Sequence, residues 1–178
     1  MMNNDKIIYD IAIANGFTPK SALFVIAQSR LESSDYKSNV YKNNNNGFGM
    51  KFIGQPLATK GTLVPVSERV RPITANINYY AKYNTFQDSV KDAVQRLFNI
   101  TKNGVTPQML KNATTSVEYA NLQKTRGYFG GTALAYSKMI NAKMKKIDLG
   151  SSNASLNVMP LIVIFLSIYL YKLLTNKS

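Results

Sequence analysis

Residues 48 to 80 interrupt a helical pattern that the chain carries on both sides, and this break limits the fold more than any other feature. Glycine and proline cut the stretch into short, β-branched runs: GTLVPV, SERVRPI and ANINYY. Runs this short, bounded by turn residues, predict a small antiparallel lobe or hairpin. Before it, Ile7, Ile8, Ile11 and Ala12 recur at helical spacing and Gly16 supplies a stop. Thr18 and Pro19 then open a second helix as N-cap and first residue, with Leu23, Ile26, Ala27 and Leu31 as its apolar face. After the break, Thr85 and Asp88 form a capping-box variant ahead of a stripe at Phe86, Val90, Ala93, Val94 and Leu97. Further helices are expected near 107–113, 116–124 and 132–146. The pattern is that of an α+β domain: a helical body with one small β insertion.

Composition narrows the chemistry. The chain has 178 residues, 45% of them hydrophobic, which is enough for one domain with a core. It contains neither cysteine nor histidine. Thiol nucleophiles, disulfides and histidine-ligated metals are therefore excluded, and acid–base work falls to carboxylates, tyrosines and lysines. No metal or other cofactor is expected. The net charge of +13 suits polyanions such as anionic lipid or wall polymers, or is simply a basic soluble surface. The basic residues are spread along the chain, with one tight run at Lys143, Lys145 and Lys146. That spread does not fit a groove-reading nucleic-acid module, so no nucleic-acid partner is expected.

The chain divides into three parts: a domain over 1–147, a polar linker over 148–157 (DLGSSNASLN) and an apolar segment over 158–174. No charge occurs between Asp148 and Lys172. The strongly apolar part, Val158 to Tyr171, is shorter than the usual span of ~20 residues. It is apolar all round, follows a linker, and carries Tyr169, Tyr171 and Lys172 at its end. A single-pass C-terminal transmembrane helix is expected there, with a lipid membrane as partner; a buried core helix is the alternative. The first seventeen residues do not read as a secretory signal.

One carboxylate stands out. Only Glu32, Glu68 and Glu118 are glutamates, and Glu32 lies near the carboxyl end of the second helix, beside its apolar face. A helix dipole disfavours an anion there, and apolar neighbours favour the protonated form, which suits a general acid. The loop that follows is rich in asparagine, whose amides suit the hydroxyl and acetamido groups of sugars. A solvated helix-end glutamate is the plainer reading.

The segments AQSRLESS (27–34) and NNGFGMK (45–51) resemble two motifs of the bacterial glucosaminidase family, lysozyme-like enzymes that cut peptidoglycan. Leu31, Glu32, Ser33, Asn45, Asn46, Phe48, Gly49 and Lys51 match, while Ser34 replaces the family's glycine and Met50 its isoleucine. YYAKYNTFQDSV (79–90) and GYFGGTALAYSKMI (127–140) resemble two later blocks through Tyr80, Tyr83, Ser89, Tyr128 and Tyr136. The last block lacks the family's Ala-Thr-Asp-Pro core. The resemblance implies a lysozyme-like domain with Glu32 as catalytic acid at a cleft. It implies a second carboxylate in the β-lobe, for which Glu68 is the candidate, and a cleft tyrosine at Tyr128. Glu68 is alternatively a surface partner of Arg69 or Arg71. Asn46, Phe48 and Tyr136 are candidates for substrate contact, with a core role as the alternative for each aromatic residue.

The expected function is therefore cleavage of the glycan strands of bacterial peptidoglycan. Lytic transglycosylation and a non-enzymatic wall-binding role are the alternatives. An anchored wall enzyme without a leader is most economically phage-encoded, in a virion membrane or at the host envelope.

Overall fold

The structure, a computed structural model, describes residues 3–150. The expected transmembrane segment at 158–174 and most of the expected linker lie outside the described residues. Among the described residues, no helix is long and apolar enough to cross a membrane.

Seven α-helices and one hairpin form the domain: α1 (Asn4–Ala14), α2 (Pro19–Glu32), α3 (Asn39–Asn44), β1 (Ala58–Leu63), β2 (Tyr79–Tyr83), α4 (Phe86–Ala93), α5 (Pro107–Lys111), α6 (Ser116–Thr125) and α7 (Ala133–Met144). The helix starts follow local chemistry. Thr18 accepts from Ser21 N with Pro19 behind it, and Thr85 and Asp88 close a full capping box. Such caps satisfy amides that the first turn leaves without partners. Past Ala93, helix α4 widens into a π turn, Val94–Phe98.

Helix α2 is the axis of the domain. It packs against α1, α5, α6 and α7, so its burial is not the one-sided stripe expected. Phe24 to Ser29 are all buried, whereas Leu23 and Leu31 are only partly so. Wrapping a helix on several sides forces its polar residues inward as well, and buried polar groups must find partners. Gln28 and Ser29 are the two so placed.

The β-lobe is smaller than the sequence suggests. β1 and β2 pair antiparallel, from Ala58 opposite Tyr83 to Leu63 opposite Tyr79, with an irregularity between Lys60 and Leu63. Met50 and Phe52 run along the other edge of β2, through Ala81 N to Met50 O (2.9 Å) and Phe52 N to Tyr79 O (2.7 Å). SERVRPI is not a strand: Val66–Glu68 is a 3₁₀ turn within the long β1–β2 connection. Asn78, fully buried, holds that connection in place. Its Oδ1 accepts from Val70 N, and its Nδ2 donates to the carbonyls of Val70, Pro72 and Ile73.

The ends of the domain meet at Asp5. This buried carboxylate accepts from Arg30 Nη2 (2.6 Å), from the Tyr36 hydroxyl (2.8 Å) and from Asp148 N (3.0 Å). Ile147 and Leu149 pack against the core, so packing continues two residues past the expected end of the domain.

Candidate active site

Glu32 is the last residue of α2 and is accessible to solvent. Protein nevertheless crowds it closely enough that desolvation raises its pKa above the ordinary carboxylate range, against a smaller opposing effect of hydrogen bonding to Tyr128. An accessible carboxyl that its surroundings nonetheless desolvate is not that of a free helix end.

The wall facing Glu32 comes from the far end of the sequence. Tyr128 follows Gly127 after α6, and its phenol interacts with both Glu32 and Gln28. Burial first, and the Glu32 charge second, hold the Tyr128 hydroxyl well above its usual pKa, so it stays a neutral donor. Tyr119 and Tyr136 also feel the Glu32 charge. One turn below Glu32, Gln28 Oε1 accepts from the Tyr119 hydroxyl and from Gln123 Nε2 (2.9 Å). Gln28 Nε2, on the side of Tyr128, has no partner of good geometry. Gln28, Tyr119 and Gln123 thus form a fully buried polar floor. The sequence reading missed these three; the available signal was the i, i+4 spacing that puts Gln28 under Glu32.

The loop carrying NNGFG closes the other side. Gly47 sits between α2 and α4 so tightly that a Cβ there would lie 2.4 Å from the Phe86 ring of α4, while Ser29 Oγ of α2 donates to its carbonyl (2.9 Å). Gly49 takes a left-handed φ of +62°, and a Cβ at that position would stand 4.0 Å from Glu32 Oε2. Glycine therefore brings bare backbone up to the carboxylate.

All three candidates for substrate contact are buried, the two aromatic ones in the core role given above as their alternative. Asn46 is 1% exposed and its amide is fully used: Nδ2 donates to Met50 O and Ala81 O, and Oδ1 accepts from Phe48 N and Met50 N. It fastens the loop to β2 and has no capacity left for a sugar. Phe48 is a core residue, edge-on to Phe98 at 6.3 Å. Tyr136 is buried, stacked on Phe129 at 4.1 Å, with its hydroxyl unpartnered.

The asparagine run is mostly such stitching. Asn44 donates to Thr62 on β1 (2.7 Å), and Asn45 donates to the carbonyls of Tyr83 and Asn84. Asn43 remains exposed and, with Asn39, Thr62, Arg69 and Tyr80, lines an open depression of about 420 Å³ between α3 and the β-lobe.

Glu68 stands in the 3₁₀ turn of the β-lobe, half exposed, with Lys51 Nζ 3.2 Å away. Its charge bears on Tyr80. In the alternative reading of Glu68 as a surface ion pair the partner is Lys51 rather than Arg69 or Arg71, and Arg69 Nε donates to Val64 O. Glu118 caps the start of α6 on the surface. Among the described residues, no cluster of three or more acidic, histidine or cysteine side chains is placed to hold a metal.

Residues 8–149 match the model of the Glucosaminidase family, described as mannosyl-glycoprotein endo-beta-N-acetylglucosaminidase. Among solved structures, the chain is similar to a type VI secretion system effector–immunity complex from Pseudomonas protegens. That likeness has 16% identity and a TM-score of 0.53, over 79% of this chain and 85% of that one. It is also similar to the catalytic domain of the autolysin Auto from Listeria monocytogenes, at 20% identity and a TM-score of 0.51, over 82% of this chain and 80% of that one. No curated protein matches it. At these identities the likeness shows the fold, and the helical body with its small β-lobe is consistent with the lysozyme-like expectation.

Proposed function

Because the chain belongs to the glucosaminidase family and is a glycosidase, we propose that it cleaves the glycan strands of bacterial peptidoglycan with Glu32 as the acid. The observation that carries this reading is the raised pKa of an accessible Glu32 beside the Tyr128 phenol. A carboxyl whose pKa is raised by desolvation holds its proton to higher pH than a free one, and donates it to the glycosidic oxygen as the bond to the anomeric carbon breaks. The positive charge that develops at that carbon is then captured. The released Glu32 carboxylate is stabilised by hydrogen bonding to Tyr128.

Two routes of capture differ in the role of Glu68. In the first, Glu68 takes a proton from water on the opposite face of the sugar. In the second, the substrate's acetamido oxygen closes on the anomeric carbon, and Glu32 later takes the proton of the incoming water. The pairing of Glu68 with Lys51, together with the placement of Tyr128 rather than a carboxylate beside Glu32, favours the second. The charge of +13 supports an anionic wall as the medium. The depression lined by Asn39, Asn43, Arg69 and Tyr80 supplies amides and an aromatic face for a polysaccharide. The apolar segment 158–174 supports a single-pass anchor at a bacterial envelope or virion membrane, and a phage origin accommodates both.

The test is digestion of purified cell wall followed by mass spectrometry of the products. A new reducing end, lost in Glu32→Gln and retained in Glu68→Gln, is the expected result. An anhydro product indicates transglycosylation, and the absence of any glycan cleavage refutes the proposal.

A further inference from the structure

Arg126 closes α6 and is only 4% exposed, yet its guanidinium is incompletely satisfied. Nη2 donates to Ile100 O at 3.3 Å, and Nε, also buried, donates to nothing. No carboxylate pairs with it among the described residues. Withdrawing an ion from water without a full set of partners is costly. The carboxyl end of a helix returns only a small part of that cost to a cation, so the balance calls for a further partner.

The surroundings indicate what that partner is. Arg126 lines a partly enclosed cavity of about 90 Å³ together with Arg96, Leu97, Lys102, Gln123 and Tyr128. Arg96 is neutralised by Asp92 at 2.8 Å. Lys102 is exposed and has no ion pair among the described residues, so the wall carries two positive charges in excess. Gln123, whose Oε1 also lacks a partner, accommodates a hydroxyl or water beside an anion. Tyr128 belongs to both this cavity and the Glu32 site.

We propose that this cavity binds a carboxylate of the substrate, received end-on by Arg126 and Lys102 next to the cleavage site. Planar guanidinium edges match carboxylates. A cavity this small takes a terminal group with one substituent, whereas the phosphodiester of a polymer must pass through with two. That the carboxylate comes from wall glycan, as the peptide stem or the lactyl group of the sugar, rests on the proposed function; the anion site itself does not.

Side-chain nitrogen NMR of the arginine Nε–H groups in the full chain tests the site without any catalysis. Titration with sodium acetate is expected to shift the Arg126 signal saturably, with no such shift in sodium chloride of equal ionic strength. Lys102→Gln, an exposed change that leaves the fold intact, is expected to weaken acetate about two- to five-fold, the scale of an exposed charge pair. Absence of a saturable shift marks a cavity holding water only and overturns the proposal, as does saturation by inorganic phosphate but not acetate. A second arm measures KM for wall glycan with and without its peptide stems. A rise in Lys102→Gln confined to peptide-bearing glycan assigns the stem carboxylate, and one confined to stripped glycan assigns the lactyl carboxylate. Unchanged KM on both overturns the link to substrate, whatever acetate does. Failure to cleave either glycan removes the proposed function and leaves the acetate result standing.

Discussion

Asn46→Ala separates a scaffold residue from a sugar-binding one. The substitution removes the acceptor for Phe48 N and Met50 N, both on buried residues. A buried amide left without an acceptor costs about 1–3 kcal/mol, so the two together cost about 2–6 kcal/mol. On the other side of the amide the loss is smaller, because Met50 O keeps Ala81 N at 2.9 Å. Against a total of about 5–15 kcal/mol for an ordinary domain, this is a large fraction. Urea unfolding should show a clearly lowered midpoint. At a temperature where the variant is folded, KM for wall substrate should stay near the parent value. Asn46→Asp restores both acceptors but turns an oxygen toward the carbonyls of Met50 and Ala81. It should therefore be destabilised at neutral pH and regain stability as pH falls and the acid protonates. An unchanged midpoint with a raised KM in Asn46→Ala would refute the scaffold assignment and return Asn46 to the substrate.

Three further outcomes are expected. Glu32→Gln should lower wall cleavage by about 10²–10⁴-fold with the fold retained; since the pKa of Glu32 is raised, the folded state holds the proton longer, stability declines as pH rises from the ordinary glutamate value through the folded pKa, and this slope should vanish in the variant. The same shift predicts that cleavage falls as pH rises through the Glu32 pKa, and a flat pH–rate profile across that range would remove Glu32 as the acid. Ser34→Gly should raise the free energy of unfolding in urea by up to about 1 kcal/mol, because Ser34 has φ +52° and relief of ~1–2 kcal/mol of left-handed strain exceeds the entropy glycine adds to the unfolded chain; a lowered midpoint would count against it.

Ser34 also shows how far the sequence could be read. A glycine at that place in the family pattern marks a left-handed residue, and here three consecutive non-glycine residues, Ser34, Asp35 and Tyr36, take positive φ. They are held from outside the segment: Asp35 by Arg30 and by Lys143 of α7, and Tyr36 by Asp5. Helix boundaries were legible because caps are local, as at Thr18, Thr85 and Pro107. The candidate acid was legible because its helix end and motif are contiguous. The roles of Asn46 and Phe48 were not, because an asparagine in a polar loop looks the same whether its amide faces sugar or backbone. Only the path of β2, some thirty-five residues later, decides it.

The same separation explains why the acid is tuned by residues that no local pattern connects to it. Glu32 at the carboxyl end of α2 already faces unfavourable carbonyl dipoles. What completes its environment is the return of α6 and α7 across that end, bringing the phenols of Tyr119, Tyr128 and Tyr136 within reach of its charge. Burial raises the pKa of each phenol, so all three stay neutral beside the carboxylate, and only the Tyr128 hydroxyl acts to favour its ionised form. The arrangement is asymmetric in a way that suits the proposed proton donation: desolvation favours the protonated Glu32 carboxyl, while one hydroxyl favours the carboxylate that donation would create. The buried floor of Gln28, Tyr119 and Gln123 lies beneath that donor: Gln28 holds Tyr119 and Gln123 on one side and faces Tyr128 on the other. Helix α2 thus contributes both the proposed acid and, one turn earlier, the amide that faces its partner.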